Sequence, residues 1–376
     1  MRIRRVCWVY CIAFGLLLAL PAGAAEWEKQ TSPVSTSLWA VSGNSAHNVY
    51  AVGDGGVILH YDGSEWSDIS VETIDTNFKD VWCSPSGDVF AVGQGKDGGA
   101  IYRFLDSSWT ELSTPTESYL RGVWGSSETS VWAVGYDGTI LKYDGVEWVE
   151  LANPWDNTQN RFWGIWGNDQ GEVFAVGDNG NVLLKDDMGW SIVQNPLKGT
   201  LHPFYGVWGS NANDIYVVGG QFNDSRIIHY NGADWTEITD HPLYETAAPL
   251  QNVWGTSSDN VYAISRSGAI IHLDDSGEWK EETFSAPNSN ALNGIWGTSA
   301  DNIFAVGASG TILHYPPVVP GDINHSQIVD LADAIAALQV TAGISSTEIY
   351  LDADVNGDGR IGTAEAIYAI QTAANN

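Results

Sequence analysis

The sequence has 376 residues, enough for two or three domains with cores of their own. It carries 46 Asp and Glu against 16 Lys and Arg, a formal net charge of −30, which argues against binding to nucleic acid or anionic lipid and favours binding of cations. With 18 Trp, 15 Tyr, 41 Gly and only 2 Met, the composition is typical of an all-β protein with many short strands rather than of a helical bundle.

The first 24 residues have the three parts of a secretory signal peptide. Arginines occupy positions 2, 4 and 5, an apolar run covers residues 6–20, and the small residues Pro21-Ala22-Gly23-Ala24 follow. A membrane anchor, the alternative, needs about 20 apolar residues. We therefore predict cleavage after residue 24 and a secreted or cell-surface protein, with the periplasm as an alternative, no membrane insertion after cleavage, and a single remaining cysteine, Cys83.

Most of the chain consists of seven repeats of 40 to 46 residues. An apolar residue followed by Trp recurs in six copies, and a degenerate copy, Val41-Ser42-Gly43, precedes them; the six copies begin at Val81, Val123, Ile165, Val207, Val253 and Ile295. Each period contains four short apolar segments separated by Gly, Asn, Asp and Ser. Four strands in a period of this length predict one blade of a β-propeller, so seven periods predict seven four-stranded blades.

The two ends of the array predict how the ring closes. The seventh period stops at Tyr315 without a final Trp segment, whereas Trp27 precedes the first period at the distance of an outer strand. An incomplete last blade would leave a row of unpaired backbone groups. We therefore predict that the N-terminal strand completes the seventh blade, within a propeller spanning residues 25–316.

The repeat phrases resemble those of exported bacterial propeller proteins, which read WG, then DVFAVG, then GTILHYDG. The resemblance covers residues 27–315, for example in Val173-Phe174-Ala175-Val176-Gly177 and Thr139-Ile140-Leu141. It implies the fold and says little about activity, because one fold carries many functions.

One position in the repeats varies while its neighbours do not. Two residues before the apolar start of each phrase, and always after Leu or Phe, the chain has Trp39, Lys79, Arg121, Trp163, Tyr205, Gln251 and Asn293. Inner strands line the channel of a propeller, so variable side chains beside long loops favour a ligand site at the channel mouth. We predict that these seven residues bind a glycan or a protein ligand. Neutral variation in a solvent-filled channel is the alternative.

Other polar positions carry weaker predictions. A ring of polar residues in the third strands comprises His60, Arg103, Lys142, Lys185, His229, His272 and His314. Because these residues lie in different blades, we expect local hydrogen bonds rather than a metal cluster. Acids such as Asp80, Glu117, Asp156 and Glu245 cannot be paired from the sequence, and it contains no HExxH motif or nucleophile elbow, so the catalytic residues stay unknown.

A Pro-rich linker, residues 317–320, separates the propeller from a C-terminal region of different composition. Residues 321–376 contain no Trp and have an internal repeat of 32 residues. The second copy matches the EF-hand loop in its spacing of oxygen ligands and turn glycine. We predict Ca²⁺ binding by the side chains of Asp354, Asn356, Asp358 and Glu365 and the carbonyl of Arg360.

The first copy of the repeat is less regular. Its equivalent ligands are Asp322, Asn324, Ser326, Asp330 and Asp333, with the carbonyl of Ile328. Ser326 replaces an acid, and Gln327 replaces the turn glycine. We expect this loop to bind Ca²⁺ more weakly than the second, or with distorted geometry.

The duplicated loop-helix units resemble the type I dockerin domain. The resemblance covers residues 321–376 and implies a small all-α, calcium-binding domain that docks a cohesin domain of another protein. The pairs Leu331-Ala332 and Thr363-Ala364 match the family's recognition positions, where a Ser-Thr pair is common, and Glu365 stands where the family usually has Asp. A calcium-stapled cap on the propeller is the alternative.

These observations favour a secreted, calcium-dependent binding protein. Its propeller would present the variable mouth to a ligand, and its dockerin-like region would attach it to a cohesin-type partner or a cell-surface complex. The alternative is a carbohydrate-active hydrolase or lyase on the propeller, because dockerins are often attached to polysaccharide-degrading enzymes.

Overall fold

The computed structural model describes residues 27–154, 160–245, 248–274, 276–284, 290–315, 321–323, 329–343, 355–356 and 360–374. The predicted signal peptide and linker lie outside these residues. Contacts divide the chain into two compact units, Glu26–Pro317 and a second unit that contains the residues from Val318 onward. No helix within the described ranges is long and apolar enough to cross a bilayer.

The first unit consists of seven four-stranded antiparallel sheets, as predicted. Blade 1 contains β2 (Leu38–Ser45), β3 (Asn48–Gly53), β4 (Ile58–Tyr61) and β5 (Trp66–Asp68). Blade 2 contains β6 (Asn77–Cys83), β7 (Val89–Gly95), β8 (Gly98–Leu105) and β9 (Ser108–Leu112). Blade 3 contains β10 (Leu120–Ser127), β11 (Ser130–Gly135), β12 (Ile140–Tyr143) and β13 (Trp148–Glu150).

The remaining blades follow the same order. Blade 4 contains β14 (Phe162–Gly167), β15 (Val173–Gly177), β16 (Asn181–Asp186) and β17 (Gly189–Ile192). Blade 5 contains β18 (Phe204–Asn211), β19 (Asp214–Gln221), β20 (Asp224–Tyr230) and β21 (Trp235–Ile238). Blade 6 contains β22 (Leu250–Ser257), β23 (Asn260–Ser265), β24 (Ile270–Leu273) and β25 (Trp279–Glu281). Blade 7 contains β26 (Leu292–Ser299), β27 (Asn302–Gly307) and β28 (Ile312–Tyr315), and its fourth strand is β1 (Glu28–Lys29).

Strand β1 closes the ring as predicted. Glu28 and Lys29 pair antiparallel with β28, and Trp27 is fully buried between Tyr262 and Tyr315. The side chain of Gln30 extends the closure. Its amide nitrogen lies 2.9 Å from His314 Nδ1 in blade 7, and its oxygen accepts a hydrogen bond from Trp66 Nε1 in blade 1. The closing segment therefore connects the last blade to the first.

The hydrophobic core lies between neighbouring blades. In β15 every residue is buried, because a second strand has blades on both faces; this explains its continuous apolar run. The glycine that ends most second strands is required by a close approach of the inner strand. A Cβ on Gly135, for example, would lie 2.1 Å from the carbonyl oxygen of Tyr119.

The inner-strand tryptophans fill the seams between blades. A Cβ on Gly125 in blade 3 would lie 2.7 Å from the indole of Trp82 in blade 2, and five further seams repeat this contact: Trp124 with Gly167, Trp166 with Gly209, Trp208 with Gly255, Trp254 with Gly297, and Trp296 with Gly43. The seventh seam replaces both members. Ser42 stands where the Trp would be and Cys83 where the Gly would be, and the Cys83 amide donates to Ser42 Oγ at 3.1 Å.

The described part of the second unit contains two α-helices, α1 (Leu331–Thr341) and α2 (Thr363–Ala373). Asp330 caps α1 by accepting a hydrogen bond from the amide of Ala332, and Asp333 accepts one from the amide of Asp330. A small core joins Ile323 and Ile361 to alanines of both helices. These residues match the loop-helix pattern in the sequence.

Candidate functional site

A β-bulge in every inner strand positions the variable ring. In blade 3, Leu120 pairs with Gly135 and Gly122 pairs with Val134, so the intervening Arg121 has no partner on β11. The same interruption occurs at Trp39, Lys79, Trp163, Tyr205, Gln251 and Asn293. A bulge changes the direction in which its side chain points. The residue before each bulge is fully buried, which anchors the strand there.

The structure brings all seven predicted mouth residues together. They line one cavity of about 210 Å³ at the channel, and five of the six inner-strand tryptophans, all but Trp124, also line it. The residues before the bulges do not line it. We call the opening formed by these seven residues the mouth.

In blades 1, 2 and 7, the polar groups of the mouth residues have partners within the propeller. Lys79 Nζ lies 2.7 Å from Asp54 Oδ1 and 3.9 Å from the centre of the Trp39 ring. Trp39 Nε1 also donates to Asp54, at 2.8 Å. Burial lowers the pKa of Lys79, while Asp54 opposes this shift. In blade 7, Asn293 donates to the carbonyl of Leu38 at 2.8 Å.

The mouth contacts in blades 3 and 4 involve aromatic rings and arginines. The guanidinium of Arg121 lies 5.0 Å from the ring centre of Tyr136 and 4.9 Å from that of Trp163, and it donates to Tyr136 Oη at 2.6 Å. Arg161 lies 4.9 Å from the same tyrosine ring. Trp163 also makes an edge contact with Tyr205, with ring centres 5.6 Å apart.

Arginines continue this half of the mouth into blade 6. Arg266 lies 5.4 Å from the ring centre of Tyr205, and burial raises the pKa of that tyrosine while Arg266 opposes the shift. Within the described ranges, none of Arg121, Arg161 and Arg266 forms an ion pair. Four of the twelve Lys and Arg between residues 27 and 315 lie at this end of the channel, although the whole protein is strongly acidic.

Four residues that contact the mouth residues were not predicted from the sequence. Asp54, Tyr136, Asp178 and Arg266 each lie 15 positions after a ring residue, directly after the residue that ends the second strand. In blade 4 the Trp163 indole nitrogen donates to Asp178 at 2.7 Å, as Trp39 does to Asp54. The constant spacing of 15 residues after a variable position was the feature of the sequence that could have predicted these four residues.

Two of the acids considered for catalysis, Asp80 and Glu245, are held by other groups, and Asp156 lies outside the described residues. Asp80 accepts hydrogen bonds from the amides of Val81 and Val123, in two different blades. Burial raises its pKa to about 7, although both amides favour the charged form. Glu245 lies 3.3 Å from Arg226 in a cluster of ion pairs. These contacts give Asp80 and Glu245 structural roles.

The polar residues of the third strands make local contacts. His60, His229 and His314 contact Asn48, Asp214 and Asn302 in their own blades, at 2.7 to 2.9 Å. In blade 4 the predicted position was wrong by one residue, because Leu184 rather than Lys185 pairs opposite the aromatic residue of the second strand. No group of three or more metal-binding side chains occurs among the residues described.

Several predicted calcium ligands lie within the described residues of the second unit. Asp322, Asp333 and Glu365 are buried, each at most 1% exposed. Glu365 Oε2 accepts from the amide of Gly362 at 2.7 Å, while Oε1 is buried without a hydrogen-bond partner among the described residues. Asp330, Asn356 and Arg360 are also described, whereas Asn324, Ser326, Ile328, Asp354 and Asp358 lie outside the described residues.

The first unit is a seven-bladed β-propeller, and solved structures share that fold. No family model and no curated protein sequence matches the chain. Among solved structures, YCF48 bound to D1 peptide has a TM-score of 0.62 at 16% identity and covers 80% of this chain and 99% of its own. YCF48 from Cyanidioschyzon merolae has a TM-score of 0.61 at 15% identity, with 78% and 99% covered.

A third similar structure is an enzyme. Virginiamycin B lyase from Staphylococcus aureus has a TM-score of 0.65 at 14% identity and covers 77% of this chain and 98% of its own. At these identities the likeness concerns the fold alone.

Proposed function

We propose that this protein is a binding module whose propeller mouth holds a segment of a partner protein. One observation carries the proposal: non-repeating aromatic and cationic side chains leave the strand ladder at seven bulges and meet at one opening. Arg121, Trp163 and Tyr205 belong to the residue types that contribute most binding energy at protein interfaces. Arginines without an acidic partner in an acidic protein favour a ligand that brings its own carboxylates.

The arrangement of the rings favours a protein segment over a glycan. Sugar rings stack on open aromatic faces, but the Trp163 ring is contacted by the edges of Tyr136 and Tyr205 and by Arg121. Lys79 covers the Trp39 ring. Among the similar structures, YCF48 was solved with a D1 peptide, which agrees with a peptide ligand here.

Selection of peptides tests this proposal. A library of random 12-residue peptides displayed on phage is panned against the mature protein in calcium, and in parallel against Trp163→Ala/Tyr205→Ala. We expect enrichment on the wild-type protein and loss of binding on the double variant, with its melting temperature little changed. The control Val146→Ala/Met188→Ala removes exposed apolar side chains elsewhere and should retain binding. Equal enrichment on all three proteins would contradict the proposal.

The alternative of a carbohydrate-active hydrolase or lyase is tested separately. Incubation of the protein with a panel of polysaccharides, followed by an assay for new reducing ends or unsaturated products, detects either reaction. If products are still released after the mouth residues are replaced, the active site lies outside the mouth.

For the second unit we propose calcium binding by the two loops. The described residues fit Ca²⁺ because buried carboxylates are costly without a cation, and Glu365 has a buried oxygen that lacks a hydrogen bond. Asp333 differs, since its two oxygens accept from the amides of Ile323 and Asp330. This supports the expectation that the second loop binds more tightly than the first.

Calorimetric titration of the mature protein with calcium, together with thermal unfolding at several calcium concentrations, tests the calcium sites. We expect calcium to stabilise one thermal transition by RT ln(1 + [Ca²⁺]/Kd) and to leave the propeller transition unchanged. Glu365→Ala or Asp354→Ala should abolish the tighter site, whereas Asp322→Ala should weaken only the other one. A calcium response that is identical in all three variants would refute the ligand assignment.

We further propose that the second unit docks a cohesin-type partner. Three apolar residues, Leu331, Ile335 and Leu338, follow one face of α1 and are about half exposed, as are Ile367 and Ile370 on α2. Exposed apolar faces of this kind mark interaction surfaces. Calcium-dependent capture of a purified cohesin domain, lost in Leu331→Glu/Ile335→Glu, is the expected result. A soluble, folded unit that captures no cohesin would favour the capping alternative.

Export is proposed from residues 1–24. Expression with the complete sequence should yield a secreted protein whose N-terminus, measured by mass spectrometry, begins at Ala25. A product retained in the membrane would show that the segment is an anchor.

A further inference from the structure

A second cavity opens beside the mouth, between blades 4, 5 and 6. It has a volume of about 520 Å³ and shares Tyr205 and Arg266 with the mouth. We call it the groove. Its other lining residues are Asp178, Asn179, Leu201, Pro203, Gln221, Phe222, Ala248 and Pro249. Its volume lies within the usual range of about 300 to 1,000 Å³ for ligand sites.

Two large apolar side chains on the groove are mostly exposed. Leu201 is 73% and Phe222 is 83% exposed, so neither contributes much to the core. Both lie on backbone that is held in place. The amide of Gly180 donates to the carbonyl of His202 next to Leu201, and Gln221 pairs with Asp224 across the turn that contains Phe222.

Phe222 also adopts an unfavourable backbone conformation. Its φ is +53°, a region that Gly and Asn tolerate and bulky residues avoid. A phenylalanine there costs conformational energy and gains almost no burial. The two-residue turn between Gln221 and Asp224 requires positive φ at this position, but the packing of blade 5 does not account for a phenylalanine there, and its exposed ring is available for contact with a ligand.

Two charged side chains line the groove, Arg266 and Asp178. Arg266 forms no ion pair within the described residues and lies over Tyr205, whereas the nearby Asp224 is held by Arg226 at 2.8 Å and His202 at 2.8 Å. Asp178 on the rim accepts from the Trp163 indole. An exposed guanidinium beside apolar side chains fits a carboxylate next to an apolar group.

From this geometry we propose that the groove binds the part of the partner segment in which an acidic residue lies close to a large apolar one. This inference rests on the proposed function and adds the chemistry of the ligand. The apolar side chain contacts Phe222 and Leu201, and the carboxylate pairs with Arg266. The remainder of the segment continues into the mouth across Tyr205, which both cavities share.

The peptides selected on the wild-type protein test this inference directly. We expect Asp or Glu near Phe, Leu or Ile in the enriched sequences. Synthetic fluorescein-labelled copies should lose affinity about tenfold when Arg266→Gln or Phe222→Gly is introduced. The controls Lys280→Gln and Met188→Gly change an exposed cation and an exposed apolar residue away from the groove and should bind normally. Phe222→Gly should melt no lower than the wild-type protein, because glycine accepts positive φ without strain.

Other outcomes separate the two proposals. Peptides that need Trp163 and Tyr205, but show no acidic preference and bind Arg266→Gln and Phe222→Gly normally, would overturn the groove and keep the proposed function. The absence of any mouth-dependent peptide would overturn both. If oligogalacturonate binds in an Arg266-dependent manner and the selected peptides do not, the ligand of the groove is an acidic glycan rather than a peptide.

Discussion

Two positions of the inner strands lie three residues apart and behave in opposite ways. The Trp position repeats in six blades, because each indole fills the space above a glycine of the next blade. The bulge position carries Trp, Lys, Arg, Tyr, Gln or Asn, because it has no partner in the strand ladder. The comparison teaches that side chains packed against a neighbouring blade are constrained by the repeat, whereas bulge residues can differ from blade to blade.

Among the variants that test this comparison, removal of the closing segment should lower the unfolding free energy of the propeller most. Deletion of residues 25–35 removes β1, the buried Trp27 and the Gln30 bridge. We expect a loss of at least about 5 kcal/mol of unfolding free energy, or no folded propeller. Truncation after Pro317 is the control and should leave the propeller transition unchanged. Thermal unfolding followed by circular dichroism measures both, and an unchanged melting temperature in the N-terminal deletion would contradict the closure.

A matched pair in one strand tests the comparison itself. Trp124→Ala should cost about 3 kcal/mol, because it empties the seam above Gly167. Arg121→Ala, three residues earlier, should cost less than about 1 kcal/mol, since its side chain lines the mouth. Chemical denaturation of the two variants gives the difference. Equal losses would show that the bulge residues also serve the packing.

Acid should weaken the closing blade through His314. Gln30 Nε2 donates to His314 Nδ1, and the ring contacts Asn302 through Nε2, so the neutral ring fits both partners. Burial lowers its pKa from 6.5 to about 4. Between these values the unfolded chain binds a proton that the folded chain does not, so stability falls as the pH falls from 6.5 to about 4.

The expected contribution of His314 at pH 5 is about 2 kcal/mol. His314→Gln should remove this part of the pH dependence, whereas His47→Gln, at an exposed position, should leave it in place. Unfolding free energies measured from pH 7 to pH 4.5 provide the test. If the unfolding free energy of His314→Gln falls with pH as steeply as that of the wild type, other groups cause the acid sensitivity.

The exceptional seam offers the most specific test, and its double variant has the smallest expected change. Ser42→Trp alone places an indole against Cys83 and should cost about 1 to 3 kcal/mol. Adding Cys83→Gly recreates the pair found in the other six seams and should restore stability to within about 1 kcal/mol of the wild type. A double variant no better than the single one would mean that the Trp and Gly positions do not act as a pair.

Much of the architecture was predictable from the sequence because the repeats are regular. Seven phrases of nearly constant length predicted seven blades, and Trp27 predicted their closure. The seven mouth residues were found because they vary where the surrounding positions repeat. Their partners Asp54, Tyr136 and Asp178 were missed, although they follow at a constant spacing, because pairing across a blade depends on the bulge geometry.

The sequence by itself determined the blade count, the order of strands and the buried positions, since these follow from the spacing of apolar residues and turns. Only the tertiary structure decided which side chains meet. It placed Lys185 out of register with the third-strand ring, paired Ser42 with Cys83 and exposed Phe222 at positive φ. The physical reason is that burial follows local periodicity along the chain, whereas contacts at the mouth depend on the bulges and on the packing of blades distant in sequence.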